Sequence, residues 1–324
     1  MEEGMEITKH VLRALAAGYL TAGSWATAAA AGQCDFQHVF TRPDENGAAT
    51  VKVFEAKVVS PPSGTRPLLF ITSLKVNTDG TKISYHQDDP TGRRCETNPS
   101  ARPCAINNIR NAYRDHKKPI SDFTAIRDSG YPNPKTWQVL NPDIIEKNAN
   151  TGKPCITLEG YLVSMTADFA VAGSGRRVGD CDQSKWIDAL TAPAIVLPKD
   201  SEFRSFGVGK RSLVVAVSHS PANRTVFGIV GDIGPAKEIG EANVAMNREL
   251  NGLPADDQPK HRQDAIKRFQ AGRSAILLFP GSDFVLDRPI SGVRIAAAGA
   301  DALAKFGGAQ KLIDCIHNEI DHGF

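Results

Sequence analysis

Thr225-Val226-Phe227-Gly228-Ile229-Val230-Gly231-Asp232-Ile233-Gly234-Pro235 is an apolar, β-rich run that ends by carrying a carboxylate into a Gly/Pro turn. Residues 194–197 and 213–217 are runs of the same kind, so the densest β pattern of the chain lies here. Outward from this block, strand-like segments are expected at 50–59, 68–76, 82–85, 156–165 and 275–279. Pro61-Pro62-Ser63-Gly64 and Asp79-Gly80 separate the first three, and Asp79-Gly80 predicts a hairpin tip. Helical spacing occurs at 105–116, where Ile106, Ile109 and Tyr113 mark one buried face, and at 242–250 and 260–271. Small-residue helices follow at 296–316, broken at Gly307-Gly308, while 117–153 reads as irregular. Strands outnumber helices and do not alternate with them one to one. The expectation is therefore a mainly β chain with peripheral helices, an α+β class, rather than a doubly wound sheet. Its core is expected to be a compact six-stranded, barrel-like sheet, with a double-psi arrangement as one form.

The 324 residues allow one large domain or two, and hydrophobic and charged shares of 41% and 23% are ordinary for a globular chain. Lys and Arg total 38 against 36 Asp and Glu, a net charge of +2, which does not give the electrostatic footprint of a nucleic-acid binder. Residues 1–32 read as a signal peptide or an N-terminal helix: a small, apolar run ends in alanines before Gly32, although Glu2, Glu3 and Glu6 make its front acidic. Residues 33–324 then form one domain, with an irregular insertion at 87–155 and a helical tail at 281–324. No run after the leader is long and apolar enough to span a membrane. Export is expected, to the extracellular space or, for a bacterial effector, the periplasm. Six cysteines allow up to three bridges, and the Cys95/Cys104 spacing suits a loop staple. No C-x-x-C and no zinc-like His spacing is present, so neither a metal nor a cofactor is expected.

Glu241 follows Asp232 by nine positions, just ahead of the helix expected at 242–250. Two carboxyls held close together suit glycosidic bond cleavage, where one protonates the leaving oxygen and the other activates water or attacks the sugar. Asp232, at the end of an apolar strand, is expected to have its pKa raised and to act as acid. Glu241, at a helix N-terminus, is expected to stay ionised and act as base. The plainer alternatives are a turn residue for Asp232 and a first-turn helix acid for Glu241.

The segments 194–198, 213–218, 226–232 and Ile239-Gly240-Glu241-Ala242-Asn243 together resemble the core of the fungal chitosanases, glycoside hydrolase family 75. That family shows a V-I-P strand, an A-V-V strand, a Y-G-I-x-G-D strand end and a G-E-A-S before a helix. Lys75-Val76-Asn77-Thr78-Asp79-Gly80 is similar to the family's lysine-to-D-C-D-G segment. The resemblance implies inverting endo-hydrolysis of β-1,4 bonds in chitosan, with Asp232 and Glu241 as the catalytic acids. It makes Asp79 a third candidate, lining the cleft or positioning water. The chain departs from the family where Asp232-Ile233-Gly234-Pro235 replaces an acidic turn and where Asn243 replaces Ser. The β-1,4 glycan of peptidoglycan is therefore an alternative substrate.

Lys75, Tyr85, His86 and Gln87 are the candidate substrate-binding residues, with Tyr85 as a stacking face for a sugar. The partner expected is a polysaccharide substrate, with no nucleic acid and no membrane once the leader is removed, and the protein is expected to be a monomer. Rival readings are a non-catalytic carbohydrate-binding protein, a disulfide-stapled structural protein and a lytic transglycosylase.

Overall fold

Six consecutive buried residues, Leu213 to Ser218, set the architecture, because a strand buried on both faces needs apolar cover on each side. In this computed structural model, residues 34–324 are described apart from 46, 58–63, 65, 174–176, 200–201, 220–222 and 235–236. The leader expected at 1–32, the end of the strand expected at 50–59 and Pro235 lie outside the described residues. The strands are β1 (Phe36–Pro43), β2 (Thr50–Ala56), β3 (Leu68–Ser73), β4 (Lys75–Asn77), β5 (Tyr85–His86), β6 (Tyr161–Leu162), β7 (Ala194–Pro198), β8 (Leu213–Ser218), β9 (Thr225–Gly234), β10 (Glu241–Asn243) and β11 (Arg273–Leu278). The α-helices are α1 (Arg94–Thr97), α2 (Ile120–Asp128), α3 (Thr136–Val139), α4 (Val244–Leu250), α5 (Arg262–Asp264), α6 (Gly292–Phe306) and α7 (Gly308–Cys315).

Nine of them form one mixed sheet in the order β1-β2-β3-β11-β8-β9-β7-β10-β4, while β5 and β6 pair separately. Most neighbours are antiparallel; β7 runs parallel to β9, and β10 parallel to β4. Among the described residues no ladder joins β4 back to β1, so the nine-strand order is open-ended. Only Leu74 separates β3 from β4. One stretch of chain thus borders β2 and β11 through its first half and β10 through its second.

The two faces of β8 enter different cores. Leu213, Val215 and Val217 join Ile229, Leu277 and the C-terminal helices α6 (Gly292–Phe306) and α7 (Gly308–Cys315). Val214 and Ala216 join Ile195, Leu197, Val230, Ile276 and, from helix α4 (Val244–Leu250), Met246 and Leu250. Each such side chain contributes about 1.5–3 kcal/mol on full burial. Gly307, at φ 119°, ends α6 in the left-handed region, which accounts for the break read at Gly307-Gly308.

The expectation of a mainly β chain with peripheral helices holds for a mixed sheet with helices on its faces. Several local expectations are corrected. Asp79-Gly80 is not a hairpin tip, because β4 pairs with β10 and β5 with β6. The span 105–116 is not one helix; only a 3-10 turn at Ile109–Ala112 forms, although Ile106, Ile109 and Tyr113 are buried as the spacing predicted. The insertion contains helix α2 (Ile120–Asp128), within the span read as irregular. Its Phe123, Trp137 and Leu140 form a satellite core with Tyr85 and Leu162. Of 156–165 only β6 is strand, and Leu158 is fully exposed at 104%.

All six cysteines are bridged, as Cys34–Cys315, Cys95–Cys104 and Cys155–Cys181. Glu319 adds to the first bridge by accepting the backbone N–H groups of Cys34 and Phe36 at 2.7 and 2.9 Å. Among the described residues no helix is long and apolar enough to cross a membrane.

Candidate active site

Val196 organises the site. In register, Asp232 of β9 lies opposite Val196 on one side, and Glu241 of β10 lies opposite it on the other. Residues directly opposite one another share a face of the sheet, so both carboxyls flank the Val196 side chain. Two strand spacings place their Cα atoms about 9–10 Å apart. A β-bulge between Ile195 and Val196 re-aims this part of β7. The space in front of Glu241 is kept open by Gly234: a Cβ there would stand 3.0 Å from Val196 Cγ1 and 4.0 Å from Glu241 Oε2.

The third acid arrives on β4. Asn77 Oδ1 accepts the Asp79 N–H at 2.7 Å, closing an Asx turn, while Asn77 Nδ2 donates to Glu241 Oε2 at 3.3 Å. Gly80 completes the turn at φ 84°, where a Cβ would lie 2.3 Å from Thr166 Cγ2 and 2.8 Å from the Ile187 carbonyl, so only glycine fits. Asp79 thereby packs against the 164–166 segment, and its Oδ1 accepts from the Tyr85 hydroxyl at 2.6 Å and from Ser164 Oγ at 3.4 Å.

The carboxyls are half-buried residues whose acid groups are crowded by protein, and each has its pKa raised. Glu241 reaches about 8, first through burial and then through the nearby Glu45, with Asp79 and Asp232 adding and the Asn77 hydrogen bond opposing. Asp79 reaches about 7 through burial, opposed by the Tyr85 hydrogen bond and reinforced by Asp232. Asp232 reaches only about 6. Burial raises it, but its Oδ1 accepts the N–H groups of Ile233 and Ala167, both at 2.8 Å, and Lys210 adds a favourable charge. The order expected from the sequence is thus reversed: Glu241 holds its proton more firmly than Asp232. The physical reason is that Glu241 is not on a helix. It ends a ladder in β10, and the N-cap of α4 is Asn243, whose side chain accepts from Met246 N and Ala194 N at 3.0 Å. Asn243 does the capping work that serine also performs.

The candidate binding residues divide. Lys75 is the register partner of Glu241 and donates to the Glu45 carbonyl at 3.1 Å. Tyr85 is buried at 0% exposure, so it offers no stacking face; only its hydroxyl reaches the site. His86 is also buried and fully engaged, its Nδ1 accepting from Asp88 N at 3.0 Å and its Nε2 donating to the Glu159 carbonyl at 2.6 Å. Gln87 sits beside it, its N–H bonded to the Gly160 carbonyl at 3.1 Å. His86 and Gln87 therefore belong to the β5–β6 pair, while Lys75 and the Tyr85 hydroxyl join the acids. Sequence reasoning missed Asn77, Glu45, Ser164, Ala167 and Lys210. Asn77 lies inside the 75–80 motif but had no role of its own there, and the other four reach the acids from positions distant in sequence that carry no local pattern.

No protein-family model matches the chain, and no curated protein matches it.

Proposed function

We propose that the protein is an endo-acting glycoside hydrolase of chitosanase type that cleaves β-1,4 bonds by inverting acid/base catalysis. The observation that carries this reading is the placement of Asp232 and Glu241 on either side of Val196, with pKa values of about 6 and about 8. Near neutral pH, Glu241 is the protonated partner and Asp232 the ionised one, which makes Glu241 the acid and Asp232 the base. Glu241 gives its proton to the leaving glycosidic oxygen as the C–O bond breaks. Asp232 takes a proton from water as the water oxygen bonds to the anomeric carbon, and proton exchange with solvent resets both acids. Inversion is what the resemblance to the family implies, and it needs the two carboxyls about 6.5–9.5 Å apart, wider than the pair of a retaining enzyme.

The continuity of β3 and β4 supports a finer architecture, in which Leu68–Asn77, β11, β8, β9, β7 and β10 close a six-stranded barrel. The parallel pairs β4/β10 and β7/β9 fit its double-psi form. Three disulfides support export to an oxidising compartment. Four carboxyls that influence one another, Glu45, Asp79, Asp232 and Glu241, favour a cationic amino-sugar polymer over a neutral glycan.

The test is incubation of the purified protein with chitosan and with peptidoglycan sacculi, beside Asp232→Asn. New reducing ends from chitosan, absent in the variant and of inverted anomeric configuration by NMR, are expected. Release from sacculi alone moves the substrate to peptidoglycan, and binding to either polymer without cleavage refutes the hydrolase reading.

A further inference from the structure

A cavity of about 330 Å³ lies outside the acid site and shares no lining residue with the recess beside Asp79 and Asp232. Its volume is that of a small-molecule site, about 300–1,000 Å³. The interior is apolar: Cys95 of the Cys95–Cys104 bridge and Pro259 are buried, and Ile83 and the Tyr161 ring are half-buried. The Tyr161 hydroxyl donates to the Cys104 carbonyl at 3.0 Å, so the ring is what this residue offers to a ligand. Arg102 and Lys260, both exposed, line the same cavity and put two cations at its mouth.

The polar groups there are donors in search of an acceptor. Arg102 bonds through Nη1 alone, to the carbonyls of Pro99 at 3.0 Å and Ala101 at 2.6 Å and to Cys104 Sγ at 3.6 Å. Among the described residues its Nε and Nη2 have no partner, and that edge of a guanidinium takes a carboxylate with two parallel bonds. The Lys260 side chain likewise has no partner among the described residues; only its backbone N–H is bonded. His261 Nδ1 accepts the Asp264 N–H at 3.3 Å, so the neutral ring carries its proton on Nε2 as a third donor. Glu96, the acid in the lining, is paired with Arg93 Nε at 2.9 Å. The charge left over is positive.

The walls hold this arrangement without a ligand. Asp89 Oδ1 accepts the N–H groups of Arg93 at 3.1 Å and Arg94 at 3.0 Å, and its Oδ2 accepts that of Ala105 at 3.0 Å. One carboxylate thereby ties down both ends of the bridged loop. The facing wall is joined to it where Arg262 N donates to the Gly92 carbonyl at 3.0 Å, and Asp264 Oδ2 accepts Lys260 N at 2.8 Å.

We propose that this cavity binds a sugar carboxylate, with the acid group on Arg102 and Lys260 and one face of the ring against Tyr161 and Ile83. A carboxylate fits the open guanidinium edge, and the apolar face of a sugar fits an aromatic wall. The charge here is opposite to that of the acid site, so this is no continuation of a surface that attracts a polycation. The proposal goes beyond the hydrolase reading and does not rest on it. Two sources offer the same group, a free sugar acid and an acidic residue within a glycan chain.

The experiment is isothermal titration calorimetry on the full chain with glucuronate, with a tetrasaccharide of alternating glucuronate and N-acetylglucosamine, and with neutral glucose. Binding of an acidic probe that weakens as salt is added, with no heat from glucose, is expected. Arg102→Ala is expected to lower that affinity about tenfold or more, and Lys260→Ala about threefold. Lys260 has no partner to lose, so Lys260→Glu, expected to abolish binding, keeps the test open if Arg102→Ala does not fold. Whatever hydrolytic activity the wild type shows is expected unchanged in these variants, which separates this outcome from that of the hydrolase reading. Tighter binding of glucuronate assigns the site to a free acid, and tighter binding of the tetrasaccharide assigns it to a glycan chain. Equal binding of glucose, binding insensitive to Lys260→Glu, or no binding of either acid overturns the proposal.

Discussion

Replacing Glu241 with Gln separates the two possible divisions of labour between the acids. The structure puts Glu241 at about 8 and Asp232 at about 6. With Glu241 as acid and Asp232 as base, the state protonated on Glu241 and ionised on Asp232 dominates between those two values. The exchanged assignment needs the opposite microstate, which the ordering of the two values makes the rarer one. Loss of a general acid costs on the order of 10²–10⁴ in rate on a natural glycoside. That loss largely disappears when the leaving group needs no proton. The assay is therefore hydrolysis of chito-oligosaccharide and of an aryl glycoside with a nitrophenol leaving group, by Glu241→Gln and Asp232→Asn. Glu241→Gln is expected to lose the first activity and keep most of the second, whereas Asp232→Asn loses both. If Asp232→Asn is the variant rescued by the good leaving group, the acid and base are exchanged and the electrostatic reasoning fails.

Stability carries a second signature. Because the folded Glu241 binds its proton up to about 8, from a starting value of 4.5, folding is penalised progressively as pH rises through that window. Glu241→Gln, which cannot ionise, is expected to gain Tm relative to the wild type at pH 8 and to show little difference near pH 4, by calorimetry. Gly234→Val fills the space before Glu241, and a drop of at least tenfold in kcat/KM with a Tm within a few degrees is expected; unchanged kinetics would place the substrate elsewhere. Loss of Cys34–Cys315, which closes a sequence separation of 281, is expected to destabilise more than loss of Cys95–Cys104, separation 9. Chain entropy puts the two at about 5–6 and about 2.5 kcal/mol, measurable by denaturant unfolding of the paired Cys→Ala variants.

The core strands were legible because their burial is two-sided: 194–197, 213–217 and 275–279 are unbroken apolar runs wherever they sit in the fold. The short strand β10 was not, since three residues, Glu241–Asn243, carry no periodicity and exist through pairing with β4 and β7. That omission also produced the error over Glu241, which was placed at a helix end on the strength of the helix that follows. The motifs singled out Asp232, Glu241 and Asp79, and the structure brings these three candidate acids together. Tyr85 is not the stacking surface that an aromatic next to polar residues suggests: its ring is interior, and only its hydroxyl reaches Asp79. The partners of the acids, Ser164 and Ala167 among them, come from a stretch that the sequence presents as irregular. Nothing in its own composition tells which distant carboxyls it will meet.

Asp232 and Glu241 lie nine positions apart along the chain, but what sets their distance is the lateral spacing of three adjacent strands through Val196. The gauge for this pair of acids is thus peptide backbone, fixed by hydrogen-bond geometry that every sequence shares.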